Sequence, residues 1–185
     1  VYAGIIKFND KDNRIVKTTD FNQFYKGYIF DDLFDSDMSF IPNSSTVIRK
    51  SCLGKLETIN GPGPYWEDPS CASTEDYHLF LRLAYKFKVE YVPEHLVRCR
   101  LHDVNSSKDK LKHLNAAIYT VKNISNLYNI QTKRTRKKIS LYYLRIGYDY
   151  RKISKIRALR YYFISMRYQF RFEQFKLVVA LFSPF

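Results

Sequence analysis

The chain has 185 residues, 45% of them hydrophobic and 17% aromatic, with only 6 Gly and 6 Pro. Those values exclude a disordered or low-complexity polymer and allow one domain with a core, or one domain plus an appendage. The net charge of +13 is unevenly held: of 31 Lys+Arg and 18 Asp+Glu, residues 104–185 carry 18 and 3, which leaves 13 and 15 for residues 1–103. A near-neutral region, 1–107, and a strongly basic region, 108–185, are expected to have different physical roles.

The chain opens on Val1, which reads as a piece of a longer protein. Its longest apolar run near the C-terminus, Leu177 to Phe182, falls far short of the ~20 residues that span a bilayer, and no signal-peptide pattern opens it. Cys52, Cys71 and Cys99 are an odd number without metal-ligand spacing and read as reduced packing thiols. The expected location is the cytoplasm.

In chain order, "VYAGIIKF" is β-branched and aromatic, "NDKDN" is a turn string and "RIVKT" returns, a hairpin pattern. "SSTVIRKSCLGKLETI" predicts a short strand at Thr46 to Arg49 and helical spacing after an N-cap at Ser51. "NGPGPYWEDPSCAS" predicts a loop carrying the only Trp, a candidate binding surface. From Tyr77 the apolar positions 77, 80, 81, 84 and 87 recur at helical spacing, and "VEYVP" and "LVRCRLH" then alternate as two strands. After "DVNSSKDK" the pattern is helical almost to the end. Over 153–170, Ile153, Ile156, Leu159, Phe163, Met166 and Phe170 fall on one face and Arg157, Arg160, Arg167 and Arg171 on the other, a basic amphipathic helix.

The helix at Tyr77 is entered through "STED". Ser73 or Thr74 can cap it, and Ser73-x-x-Asp76 is an acidic form of the capping box. Acids in a first turn complement the helix dipole by roughly 0.3 to 1 kcal/mol each, which accounts for Glu75 and Asp76 without any chemistry. A second account rests on the surroundings: a Gly- and Trp-bearing loop before the pair, then "LFLRL", then "YVPEHLVRCRLH".

That order of elements, with "IPNSSTVIRKSCLGKLE" upstream, resembles the C-terminal half of the family-2 glycosyltransferases of GT-A fold over roughly residues 1–107. The resemblance implies an α/β fold, the later portion of a Rossmann-like GT-A domain, followed by an α-helical extension. It implies transfer of a sugar, with inversion, from a nucleotide-diphosphate-sugar donor to an acceptor hydroxyl on a glycan or lipid-linked acceptor, as in cell-envelope or exopolysaccharide synthesis. An alcohol is a poor nucleophile, so a carboxylate within about 2.6 to 3.2 Å must remove its proton. By position in the motif, Asp76 is the base and Glu75 a ligand for sugar or acceptor hydroxyls. His102 matches a histidine that contacts the metal or diphosphate, with Mg2+ or Mn2+ taking up the leaving group's charge. Arg100 could reach phosphate oxygens or be a solvated edge charge; Gly61 and Gly63 would approach the donor, and Trp66 would offer a stacking face, or all three form a connector.

The family's donor-binding half has no counterpart in these residues, and "DSD" at Asp35 to Asp37 follows the hairpin where the family's metal motif precedes it. The resemblance therefore implies that the 185 residues alone do not catalyse transfer. Two roles stay open for the basic region: peripheral contact with an anionic membrane face, or packing on protein with solvated arginines. Nucleic-acid binding through "KRTRKK", residues 133–138, is the competing class, as is an inactive interaction module.

Overall fold

The computed structural model describes residues 1–20, 24–37, 39–56, 68–101 and 109–181 of a mixed α/β chain. It divides into two compact units, Val1–Lys108 and Asp109–Phe185. The sheet belongs to the first and four helices to the second. Among the described residues no helix is long and apolar enough to cross a membrane.

In the first unit, β1 (Tyr2–Asn9) and β2 (Ile15–Thr18) form the expected antiparallel hairpin. Asn13 takes the left-handed conformation (φ 56°) that asparagine tolerates, and Asn9 N donates to Arg14 O at 2.9 Å to close the turn. The two stretches expected as separate strands are one, β3 (Tyr91–Leu101), parallel to β1 in a sheet of order β2-β1-β3. Pro93 lacks an N–H and cannot continue the ladder, so the register slips there: Ala3 pairs with Val92 but Gly4 with His95 and Ile5 with Val97. The strand continues past the proline as a bulge.

The strand expected at Thr46 to Arg49 does not form. Thr46 makes a single antiparallel bridge to Tyr2, after a 3-10 turn at Asn43–Ser45. Side-chain hydroxyls take the acceptors that a ladder would use: Ser45 Oγ donates to Ala3 O at 2.6 Å and Thr46 Oγ1 to Pro42 O at 2.7 Å. The next helix, α2 (Lys50–Leu53; α1 is Phe30–Asp35), starts after Arg49, with the expected cap Ser51 inside it.

α3 (Glu75–Lys86) is the centre of this unit. Every residue from Tyr77 to Ala84 is buried, and Tyr77 Oη donates to Leu33 O of α1 at 3.2 Å. The predicted apolar face (77, 80, 81, 84) is inside, and Phe87 ends the helix in extended conformation.

The second unit packs α4 (Lys110–Leu127), α5 (Thr132–Tyr150), α6 (Lys155–Tyr168) and α7 (Phe172–Ala180). Asp109 caps α4 through Lys112 N at 2.9 Å, and Asn129 (φ 51°) turns the chain into α5. The faces of α6 read from hydrophobicity hold only in part: Arg157, Arg160 and Arg167 are exposed as expected and Leu159 packs on the core, but the rest of the expected apolar face is not the buried one. Ile153, Ile156, Phe163 and Phe170 are exposed, whereas Ala158, Tyr162 and Ser165 are buried. The cause is close approach: a Cβ at Gly147 of α5 would stand 3.2 Å from Ala158 O, so small residues let the α5 and α6 backbones meet. Ser140 and Ser165 lock the seam, each hydroxyl donating to the other's carbonyl, at 3.0 and 2.7 Å. Gln174 of α7 donates to both hydroxyls, at 3.0 and 2.7 Å. Leu181 packs with Ala158 and Tyr162 to complete a small apolar core.

Candidate functional site

The loop into α3 is built from its own side chains. Asp68 caps a 3-10 turn at Pro69–Cys71 by accepting from Ser70 N at 2.8 Å, and Thr74 N donates to Cys71 O at 2.8 Å. Thr74 is fully buried, and its hydroxyl donates back to Cys71 O at 3.0 Å instead of capping α3. Ser73 is held at φ 86°, the left-handed region that L-residues enter at a cost.

The acid pair occupies the first turn that this loop presents, and both residues are half-buried. Glu75 Oε2 accepts from Ser73 N at 2.8 Å, and Asp76 Oδ1 accepts from Tyr77 N at 2.7 Å. The capping box expected between Ser73 and Asp76 is thus replaced by Glu75 reaching back over the strained residue. One acid holds the helix entrance, and the other stands beside it at the positive end of the helix dipole.

Beneath the pair lies a polar stripe that hydrophobic periodicity missed. His78 is 0% and Arg82 1% exposed, and with Glu75 they fall at i, i+3 and i+7, one face of α3. Read as an amphipathic helix, these positions form the solvated side; tertiary packing buries them. The only sequence signal was their spacing from Glu75. Cys71, fully buried before the same turn, has its thiol pushed up chiefly by burial, with Glu75 and Asp68 adding to the shift, so it stays protonated as a packing thiol.

Arg100 stands near the C-terminal end of β3, where its guanidinium meets Asp10 at 3.6 Å across the parallel pair, both side chains largely solvated. Gly61, Gly63, Trp66 and His102 lie outside the described residues. Among the described residues no three His, Cys, Asp or Glu side chains converge to hold a metal ion. Asp35 ends α1 and Asp37 follows it, clear of the acid pair's helix in the chain. A cavity of about 640 Å³ opens against the later turns of α3, lined by Tyr2, Thr46, Arg49, Cys52, Phe80 and Leu83 among others; Glu75 and Asp76 are not in its wall.

Comparison with family models, with curated proteins and with solved structures finds no match for this chain.

Proposed function

We propose that this chain forms the acceptor side of an inverting glycosyltransferase of GT-A type, with Asp76 as the base that takes the acceptor's proton. The observation that carries the reading is the order β1–α3–β3. Two parallel neighbouring strands are joined by a crossover whose buried helix opens on two half-buried acids. In α/β units ligands bind where strands end and crossover helices begin.

The donor is a nucleotide-diphosphate sugar and the acceptor a hydroxyl of a glycan or lipid-linked glycan. Asp76 is taken as base by its position in the motif, at the dipole end of α3, and Glu75, which accepts from Ser73 N, holds the turn and accepts from sugar hydroxyls with its second oxygen. Among the described residues no ligand set for the Mg2+ or Mn2+ of this reading is found, and by its place in the motif His102 is a ligand this chain would add. This reading assigns the acceptor side to these residues and leaves the donor's nucleotide to the donor-binding half of the GT-A fold.

Nucleic-acid binding through residues 133–138 has less support. Lys138 is 4% exposed, and Arg136 is spent on the C-terminus of α6, donating to Tyr168 O at 2.8 Å and Arg167 O at 2.7 Å.

The test is transfer from nucleotide sugars with Mn2+ by a longer protein containing this chain, with and without Asp76→Asn. The substitution should lower turnover by about 10² or more while donor binding persists. Undiminished turnover would remove Asp76 from the base role, and turnover by the 185 residues alone would overturn the division of labour.

A further inference from the structure

The outward faces of α6 and α7 have an unusual composition. On α6, Ile156, Arg160, Phe163 and Arg167 follow one another at i, i+4, i+7 and i+11, opposite the buried Ala158, Tyr162 and Ser165. Ile156 is 82% and Phe163 54% exposed, and the line runs on through Phe170, 65% exposed. On α7, Phe172, Phe175, Lys176 and Val179 form the corresponding outward line, opposite the buried Gln174 and Leu181. The Phe172 and Phe175 rings stack at 6.2 Å, with Lys176 Nζ 5.3 Å from the Phe172 centroid.

We infer that this face docks on an anionic phospholipid surface. Each helix packs a different face inward, α6 through Ala158, Tyr162 and Ser165 and α7 through Gln174, with Leu177 and Val178 partly buried, so the outward aromatics and isoleucine lie opposite the packed side. Apolar and cationic side chains alternate along the α6 line, and on α7 Lys176 stands among Phe172, Phe175 and Val179. A partner must therefore offer hydrocarbon and negative charge within a few ångströms of each other, as the headgroup–acyl boundary of an anionic bilayer does. Between residues 153 and 180 the chain carries Lys155, Arg157, Arg160, Arg167, Arg171 and Lys176 against the single acid Glu173, so the charge is complementary throughout. Nucleic acid would satisfy the arginines but gives the isoleucine no apolar surface to enter. The docking inferred is on the membrane surface; no described helix is long and apolar enough to cross. Membrane docking involves the second unit alone and is independent of the sugar-transfer reading.

The experiment is flotation of the 185-residue chain with vesicles of phosphatidylcholine alone and of phosphatidylcholine mixed with phosphatidylglycerol, at low and high salt. The chain should float with the anionic vesicles and far less with the neutral ones. Arg160→Glu with Arg167→Glu should cut binding by about tenfold or more at low salt. Phe163→Ser with Phe172→Ser should cut it at both salt concentrations, because the apolar contribution is not screened. All four side chains are on the outer face, so far-ultraviolet circular dichroism of the variants should match the parent. Failure to float at low salt, or serine variants that bind like the parent, would overturn the inference. So would sedimentation as a dimer whose dissociation requires these same substitutions, or retention on RNA abolished by the arginine reversal with no vesicle binding.

Discussion

Glu75 Oε2 sits 2.8 Å from the amide nitrogen of Ser73, and Ser73 holds φ at 86° to bring that amide within reach. The carboxylate offsets backbone strain directly at the candidate site. Ser73→Gly should relieve about 1 to 2 kcal/mol of left-handed strain against about 0.5 to 1 kcal/mol of added chain entropy, a net gain of about 0 to 1.5 kcal/mol in urea unfolding. Glu75→Ala should cost about 1 kcal/mol, and Glu75→Gln less, because the amide oxygen still accepts. A Ser73→Gly protein less stable than the parent would contradict this account.

Tyr162 packs directly over Gly147: a Cβ at position 147 would stand 2.6 Å from the tyrosine ring. Gly147→Ala should lose about 1 to 3 kcal/mol by overpacking, seen as a lowered Tm. Tyr162→Phe should be neutral or stabilising by up to about 1 kcal/mol, since the buried hydroxyl has no hydrogen-bond partner among the described residues. A large loss from Tyr162→Phe would show that the hydroxyl is satisfied.

Gln174 ties α7 to α5 and α6 through Ser140 and Ser165, and its own Oε1 accepts from Arg171 N at 2.7 Å. Gln174→Leu removes donor and acceptor together and should cost about 1 to 3 kcal/mol. Combined with Ser140→Ala, the loss should fall short of the sum of the single losses, which a double-mutant cycle measures. Strict additivity would mean that the network does not act as a unit.

Alkaline stability should follow Tyr2. The residue is 1% exposed, and its phenol donates to Tyr25 O at 3.0 Å and accepts from Tyr25 N at 2.9 Å; burial raises its pKa from 10.0 to about 12. The folded state therefore holds this proton more tightly than the unfolded state. Its contribution is complete below pH 10 and is lost as pH rises toward about 12, a fall of roughly 2 to 3 kcal/mol. Burial shifts Tyr143 and Tyr162 in the same direction. Urea midpoints measured across that range should decline, and Tyr2→Phe should flatten the decline while lowering stability at neutral pH. An unchanged slope in Tyr2→Phe would assign the alkaline loss elsewhere.

What was legible in the sequence was local. The hairpin could be read because turn residues and alternation sit within a few positions of one another, and α3 because its apolar period and its acidic first turn are contiguous. The acid pair was legible for the same reason. Pairing decided the rest of the sheet: Thr46 has strand chemistry but finds only one bridge, while Pro93 looks like a strand end but lies within β3 because β1 accommodates a bulge.

Hydrophobicity alone misplaced the buried seam of α6, since it ranks Ile156 and Phe163 above Ala158 and Ser165. It likewise left His78 and Arg82 on a solvated face. The sequence by itself determined the charge division between the two units, the hairpin, α3 with the acids at its mouth and the helical character of the second unit, because each depends on propensity and period within a single segment. Only the tertiary structure decided which residues of α6 go inside and that His78 and Arg82 are buried along with the apolar face of α3. That choice turns on how closely two backbones can approach and which buried polar groups find partners, and both are properties of pairs of segments that no single segment contains.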